Sequence, residues 1–188
     1  PVDSQTLFAC ASTTKAMTAA CMGMLVDQGK ISWDDPVIKH LPGFKLYDPF
    51  VTREIRIRDL FLHNSGVGNA DYLWANNNLS TEEIVSHLQL IKPAYSFRAG
   101  FIYQNIFYVV AGQVIEKVSG MPWSDFITKN IFTPLGMNNT SPLLSLVTDE
   151  NITRPHYLID STIQPIDHES ADAVGAAGSV LSSIDDIS

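Results

Sequence analysis

The chain has 188 residues, of which 45% are hydrophobic and 17% are charged, and its formal net charge at pH 7 is −8. This length allows one domain or slightly more, and the apolar fraction is typical of a globular protein with a sizeable core rather than of a disordered chain. Nucleic acid is excluded as a partner, because its phosphates require clustered Lys and Arg and the 12 basic residues here are scattered.

The first half of the chain is predicted to contain one long helix and several short ones. Residues 12–28 are almost wholly apolar and Gly29 follows them, which predicts a helix that is buried on all sides and ends at this glycine. Prolines and a glycine break residues 30–53 into loops and turns, with one short helix through His40. A second short helix is predicted over residues 55–62.

The second half begins with three predicted helices. The capping box at residues 80–83 (STEE) precedes apolar residues at helical spacing and predicts a helix that Pro93 ends. Residues 106–118 carry an apolar side chain at every fourth position, which predicts the next helix. A proline at the first turn opens a third helix over residues 123–131.

The remaining residues, 137–181, are predicted to be rich in loops. Strand signals are weak and lie near residues 157–159, and the glycine-rich residues 175–178 are predicted to be flexible. Residues 182–185 (SSID) match a helix cap of the S-x-x-D type close to the last residue. The chain starts at Pro1 and stops three residues after this cap. From these abrupt ends we expect the chain to be part of a longer protein. No apolar run approaches the roughly 18–20 residues that span a bilayer, so no transmembrane segment is predicted.

Neither the cysteines nor the histidines have the spacing of a metal site. Cys10 and Cys21 would lie about 16 Å apart on a helix, beyond the roughly 7 Å that a disulfide spans, so both are predicted to be buried thiols rather than a bridge. The histidines form no H-E-x-x-H motif, and the chain contains no C-x-x-C motif. We therefore predict no metal and no cofactor.

The first candidate for chemistry is the S-x-x-K sequence at Ser12 and Lys15. Residues three apart on a helix share one face, so the two side chains can reach each other. A serine hydroxyl needs a base, and a lysine can be one when burial lowers its pKa. The helix N-terminus adds unpaired N–H groups that favour an oxyanion. The alternative is an exposed first turn in which Ser12 or Thr13 caps the helix and Lys15 is solvated.

The second candidate is the Y-x-N sequence at Tyr103 and Asn105. A phenol near a lysine ammonium can give up its proton and later return it to a leaving group. An asparagine beside it can hydrogen-bond both the lysine and a substrate amide. The alternative is a half-buried tyrosine next to a helix-capping asparagine.

Other polar residues are assigned structural roles. The chain has no G-x-S-x-G elbow, which excludes the α/β-hydrolase class. Ser65 is predicted to shape the turn in which it lies, and Ser179 to belong to a loop after a glycine-rich run. His63 is predicted to hydrogen-bond the backbone of a tight turn rather than to carry protons.

Five segments, taken in order, resemble the serine β-lactamase and penicillin-binding-protein-like hydrolases, particularly the branch related to class C β-lactamases. The segments are residues 7–15 (LFACASTTK), 57–66 (IRDLFLHNSG), 97–105 (FRAGFIYQN), 134–140 (PLGMNNT) and 175–186 (GAAGSVLSSIDD). The third segment departs from the family pattern at Ala99, where proline is usual. Five signatures in the family's order are far more specific than S-x-x-K alone.

The resemblance implies an α+β fold of the β-lactamase/transpeptidase type. In this fold a helical domain packs on an antiparallel sheet, and Ser12 lies at the N-terminus of the central helix. The chain is expected to supply mainly the helical part, with much of the sheet missing. Residues 1–188 are accordingly expected to form one incomplete β-lactamase-like domain.

The resemblance also implies a serine hydrolase that works through an acyl-enzyme. Ser12 would attack a carbonyl, Lys15 and Tyr103 would share its proton, and Asn105 would bind the substrate amide. The enzyme would be a β-lactamase, a D-alanyl-D-alanine carboxypeptidase or an esterase, acting on a small-molecule or peptide substrate. Family members are often periplasmic or secreted, and oligomeric state is not indicated by the sequence.

The competing hypothesis is a catalytically silent binding or regulatory homologue. No K-T-G or H-x-G motif, which in the family marks the strand that completes the oxyanion hole, occurs in the sequence. The intact residues Ser12, Lys15, Tyr103 and Asn105 favour the enzyme.

Overall fold

The computed structural model describes residues 1–75 and 78–188, and helices predominate in this part of the chain. The α-helices are α1 (Thr14–Asp27), α2 (Val37–His40), α3 (Pro49–Glu54), α4 (Thr81–His87), α5 (Ile106–Ser119), α6 (Trp123–Ile127), α7 (Thr133–Leu135), α8 (Gly175–Gly178) and α9 (Ile184–Ile187). Short 3₁₀ turns lie at Ala11–Thr13, Ile57–Phe61, Asp71–Leu73, Leu88–Leu90, Leu144–Leu146 and Asp172–Val174. No helix within the described ranges is long and apolar enough to cross a bilayer.

Two small antiparallel sheets accompany the helices. In the first, β5 (Leu181–Ser182) lies between β1 (Phe8–Ala9) and β2 (Thr140–Ser141), and Ser182 pairs with both Phe8 and Thr140. The second is a hairpin of β3 (His156–Ile159) and β4 (Thr162–Pro165), which confirms the strand signal near residues 157–159. The first sheet brings the segment before Ser12 next to the far end of the chain.

Helix α1 packs against α5, α6 and α8 through one face. The buried residues recur every three or four positions, as expected for one stripe of a helix. They are Thr14, Lys15, Thr18, Cys21, Met22 and Leu25. Ala16, Ala20 and Asp27 are exposed, so the prediction of burial on all sides is wrong for the described part of the molecule. Helix propensity, not burial, explains the alanines on the outer face.

Most of the other predicted helices are present, with changed boundaries. The capping box before α4 is confirmed, since Ser80 Oγ accepts from the Glu83 N–H and the Glu83 carboxylate accepts from the Ser80 N–H. The helix predicted over residues 123–131 is α6 followed by a π-helical turn at Thr128–Phe132. Helix α3 was not predicted, because its proline counted as a breaker, yet proline is tolerated in the first turn of a helix.

The glycine-rich residues 175–178 are ordered, which contradicts the expectation of a flexible stretch. They form α8, whose first three residues are buried between α1 and α5. Gly112 of α5 makes this approach possible, because a Cβ there would lie only 2.8 Å from the Cβ of Ala176. The Thr18 hydroxyl donates to the Ala176 carbonyl at 2.7 Å and holds the turn on α1. The following helix, α9, is capped by Ser183, one residue later than the S-x-x-D match predicts.

Two glycine-to-alanine substitutions distinguish the effect of this close approach on stability from the effect of helix propensity. Gly112→Ala and Gly23→Ala both remove a helical glycine, but a Cβ at Gly23 would meet only the Trp33 ring at 4.0 Å. Gly23→Ala is expected to raise the free energy of unfolding by about 0.5–1 kcal/mol. Gly112→Ala is expected to be less stable than Gly23→Ala by about 1–3 kcal/mol, because α8 must shift. Denaturant titration of both variants measures the difference, and equal stabilisation would contradict the packing described.

Candidate active site

Ser12 lies in the 3₁₀ turn Ala11–Thr13, which leads directly into α1. The residue before it, Ala11, has a φ of 46°, in the left-handed region that costs a non-glycine residue about 1–2 kcal/mol. This turn leaves Ser12 exposed at the start of the helix, whereas Lys15 in the first turn of α1 is only 6% exposed. An exposed serine hydroxyl and a buried lysine side chain are thus only three residues apart.

The structure brings the four predicted site residues together. Ser12 Oγ accepts a hydrogen bond from Lys15 Nζ at 3.1 Å and one from the Tyr103 hydroxyl at 2.7 Å. Asn105 Oδ1 accepts from Lys15 Nζ at 2.7 Å. These contacts exclude the alternative of a solvated Lys15. Asn105 occupies the N-cap position of α5, but its side chain makes no capping hydrogen bond, so the alternative of a capping asparagine is wrong as well.

The Lys15 ammonium is fully hydrogen-bonded by three acceptors. Besides Ser12 Oγ and Asn105 Oδ1, Nζ donates to the main-chain carbonyl of Ala177 in α8 at 2.7 Å. A lysine ammonium has three N–H donors and no acceptor, so every donor has a partner. The carbonyl and the amide oxygen can only accept, whereas the serine hydroxyl can accept or donate. A proton can therefore be exchanged at the Ser12 contact while the other two contacts keep Nζ in place.

Two aromatic rings line the space around Lys15. Nζ lies 4.9 Å from the centre of the Tyr103 ring and 5.4 Å from that of Tyr108, within the range of cation–π attraction. Burial, and then the neighbouring Tyr103, raises the pKa of the Tyr108 phenol. Tyr108 OH donates to the Phe61 carbonyl at 3.3 Å. Tyr108 therefore lines the site as a neutral phenol, whereas Tyr103 is the phenol that hydrogen-bonds Ser12 Oγ.

Asp71 joins the site and was not predicted from the sequence. Its Oδ1 accepts from Asn105 Nδ2 at 2.9 Å and from Trp74 Nε1 at 3.0 Å, and its Oδ2 accepts from Asn69 Nδ2 at 3.1 Å. Burial alone raises the pKa of Asp71, yet the hydrogen bonds from Asn105, Trp74 and Asn69 and the charge of Lys15 together lower it below its usual value. Asp71 belongs to no motif in the sequence, so only the folded chain identifies it.

His63 supports the segment that carries Tyr103 and Asn105. Its φ is 56°, and its Nδ1 accepts from the main-chain N–H of Gln104 at 3.0 Å, which confirms its predicted role in a tight turn. Its ring lies 4.5 Å from the ring of Tyr103 at an angle of 32°. Burial, and then the charge of Lys15, lowers the pKa of His63, which favours the neutral ring that Nδ1 needs in order to accept.

An ion pair between an exposed arginine and a buried carboxylate holds the beginning of the same segment. Arg98, whose φ is 62°, donates from Nε and a terminal nitrogen to the two carboxylate oxygens of Asp59 at 3.0 and 2.6 Å. Asp59 is only 1% exposed and also caps the turn at Ile57–Phe61. A bidentate contact of this kind fixes orientation as well as distance, so residues 97–105 are tied to that turn.

The two other serines considered have structural roles. Ser65 Oγ accepts from the Val67 N–H at 3.2 Å, as predicted for a turn residue. Ser179 is buried, and its hydroxyl donates to the carbonyls of Pro142 and Gly175. Cys10 and Cys21 are free thiols, but the predicted burial is confirmed only for Cys21, because Cys10 is partly exposed. Across residues 1–75 and 78–188, no group of three or more His, Cys, Asp and Glu side chains is arranged to hold a metal ion.

The fold and this site define a β-lactamase-like protein with its serine at the start of a central helix. The model of the beta-lactamase family matches residues 1–188, so the chain belongs to this family. The predicted family and the predicted fold class are thereby confirmed.

Several known proteins are similar to the chain. Unguisins hydrolase ungD of Aspergillus violaceofuscus (strain CBS 115571) is 29% identical over 205 residues, covering 98% of this chain and 35% of the relative. Penicillin-binding protein 4* of Bacillus subtilis (strain 168) is 31% identical over 166 residues, covering 84% of this chain and 35% of the relative. The crystal structure of D-amino acid amidase from Ochrobactrum anthropi SV3 superimposes with a TM-score of 0.84 at 26% identity, covering 100% of this chain and 54% of that one. The chain thus spans about a third of the length of these curated relatives.

His63 predicts a pH dependence of stability. Because folding lowers its pKa below the usual 6.5, the unfolded chain binds a proton more readily than the folded one as the pH falls below 6.5. The free energy of unfolding is therefore expected to decrease from pH 7.5 to 5.5, and to decrease less in His63→Gln. Denaturant titrations at both values measure the two slopes. Parallel pH profiles for the wild type and the variant would contradict this assignment.

Proposed function

We propose that this chain carries the nucleophile of a serine hydrolase that acts on amide or ester carbonyls through an acyl-enzyme. The observation that carries the proposal is the placement of Ser12 Oγ within hydrogen-bond distance of both Lys15 Nζ and the Tyr103 hydroxyl. A serine hydroxyl becomes an effective nucleophile when a base this close takes its proton. Two such groups meet at one exposed oxygen.

In the proposed acylation step, Ser12 Oγ bonds to the substrate carbonyl carbon, and its proton moves to Lys15 Nζ in the neutral amine form or to the oxygen of a deprotonated Tyr103. A neutral Lys15 amine has two N–H donors and one lone pair. The donors stay on Asn105 Oδ1 and the Ala177 carbonyl, which can only accept, so the lone pair is directed at the Ser12 hydroxyl, which can also donate. The bond from the carbonyl carbon to the leaving group then breaks, and the leaving amine or alkoxide takes up that proton. Water subsequently hydrolyses the ester on Ser12.

The same residues can bind the reacting amide. Asn105 Nδ2 has two N–H groups, of which Asp71 accepts one, so the other can donate to a substrate carbonyl. Ser12 lies in the turn that opens α1, where its main-chain N–H and the helix dipole favour the negative charge of the tetrahedral intermediate. Asn105 is therefore proposed to bind the substrate amide, and Ser12 to provide half of the oxyanion hole.

The proposed substrate is a β-lactam, a D-alanyl peptide or a simple ester. All three present a carbonyl that Ser12 could attack with the same neighbours. The structural neighbour named as a D-amino acid amidase supports hydrolysis of an amide, and the relative named as an unguisins hydrolase supports hydrolysis more generally. The relative named as a penicillin-binding protein supports a site that accepts a β-lactam. By its resemblance to the family, the protein is proposed to act in the periplasm or outside the cell.

Covalent labelling tests the proposal most directly. Full-length protein treated with a fluorescent penicillin or a fluorophosphonate is expected to carry the label on Ser12, identified by mass spectrometry of its peptides, and Ser12→Ala is expected to carry none. The matched control is Ser4→Ala, at an exposed serine outside the site, which should label like the wild type. If neither reagent modifies Ser12 while a control hydrolase is labelled, the acyl-enzyme proposal fails and the silent binding homologue replaces it. Comparing hydrolysis of nitrocefin, a D-Ala-D-Ala peptide and p-nitrophenyl butyrate then distinguishes the three substrates.

A further inference from the structure

We infer that Asp71 is a positioning residue for this reaction: its carboxylate holds the Asn105 amide in the orientation that presents Oδ1 to Lys15. The inference rests on the proposed function, because it matters for turnover only if Lys15 serves Ser12. Asp71 Oδ1 lies 2.9 Å from Asn105 Nδ2, and Asn105 Oδ1 lies 2.7 Å from Lys15 Nζ. The three side chains form a chain of contacts that ends at the nucleophile.

Hydrogen-bond chemistry allows only one orientation of the Asn105 amide. A lysine ammonium can only donate, and an ionised carboxylate can only accept. The amide must therefore direct its oxygen at Lys15 and its NH₂ group at Asp71. Rotating it by half a turn would place NH₂ against the ammonium and an oxygen against the carboxylate, so both contacts would become repulsive.

Asp71 is itself held firmly enough to act as a reference point. Its carboxylate accepts from Trp74 Nε1 at 3.0 Å and from Asn69 Nδ2 at 3.1 Å, in addition to Asn105. Its main-chain N–H donates to Asn69 Oδ1 at 3.1 Å at the start of the turn Asp71–Leu73. Contacts on both carboxylate oxygens leave little freedom of rotation, so the position of Asn105 Nδ2 is well defined.

The charge of Asp71 persists at neutral pH. The pKa of Asp71 is lowered overall, although burial alone would raise it, because three donors and the Lys15 charge favour the carboxylate. A protonated acid could turn its O–H towards Asn105 and accept either amide orientation, whereas the carboxylate cannot. The Asp71 carboxylate therefore fixes the orientation of the Asn105 amide at neutral pH.

If Asp71 no longer oriented the Asn105 amide, Lys15 Nζ would be held less precisely next to Ser12 Oγ. Without Asp71, the Asn105 amide can rotate, and Lys15 then keeps only the Ala177 carbonyl as a fixed acceptor beside the serine. Nζ would no longer be confined to the position 3.1 Å from Ser12 Oγ. The rate of bond formation should fall, while binding of a reagent to the open side of the site should hardly change.

Inactivation kinetics with a fluorophosphonate test the inference. Asp71→Ala is expected to lower the maximal rate of Ser12 labelling about 10- to 100-fold, with little change in the concentration for half-maximal rate. Asp71→Asn, which keeps an acceptor oxygen, should lie between Asp71→Ala and the wild type. The control is Asp48→Ala, which removes the cap of α3 away from the site and should label like the wild type.

A double-mutant cycle distinguishes positioning from a general structural role. If Asp71 acts through Asn105, then Asp71→Ala should have less than about a twofold effect in an Asn105→Ala background. An undiminished effect in that background, or a wild-type rate for Asp71→Ala, would overturn the inference.

The side-chain amide of Asn105 provides a readout that does not depend on activity. In selectively ¹⁵N-asparagine-labelled protein, the Asn105 amide signal, assigned by its loss in Asn105→Ala, should shift and exchange faster in Asp71→Ala and in Asp71→Asn. An unchanged signal in both variants would refute the inference even if Ser12 is labelled. A wild-type Ser12 that resists labelling, together with an Asp71-dependent signal, would instead refute the acyl-enzyme proposal and support the orientation of Asn105 by Asp71.

Discussion

The buried ammonium of Lys15 is the constraint on which the arrangement of the site depends. A cation that is only 6% exposed must have an acceptor for each N–H, since an unpaired buried charge is very costly. Its acceptors come from the turn before α1, from Asn105 at the start of α5, 90 residues away, and from α8, 162 residues away. The fold must therefore bring two distant segments to the nitrogen atom of Lys15, where the nearby serine is the third partner.

Several residues with a strained backbone lie in or beside these segments. Ala11, His63 and Arg98 all have positive φ, and each lies next to or within a segment that carries a site residue. Strain of this kind persists only where the surrounding contacts compensate for it. Here the compensation comes from the His63 contact with the Gln104 N–H and from the Asp59–Arg98 ion pair. Gly112 contributes through the absence of a side chain rather than through a strained backbone. Because it has no Cβ, α8 can approach α5 and place the Ala177 carbonyl next to Lys15.

The sequence predicts the elements that have a local signal. The apolar repeat of residues 106–118 gave α5 within one residue, and the capping box gave α4. The S-x-x-K and Y-x-N spacings identified residues that the fold brings into contact. Asp71 could not be predicted, because its partner Asn105 is 34 residues away and no periodicity links them. The order of α8 is equally non-local, since small residues carry no pattern and the packing against Gly112 decides their structure.

The central claim is that Lys15 activates Ser12, and the rate of Ser12 labelling by a fluorophosphonate in Lys15→Ala tests it most directly. The rate is expected to fall at least about 100-fold, while circular dichroism shows a retained fold. Lys30→Ala, at an exposed lysine just beyond α1, should label at the wild-type rate. A folded Lys15→Ala that labels Ser12 as fast as the wild type would show that Lys15 is not the base and would contradict the account.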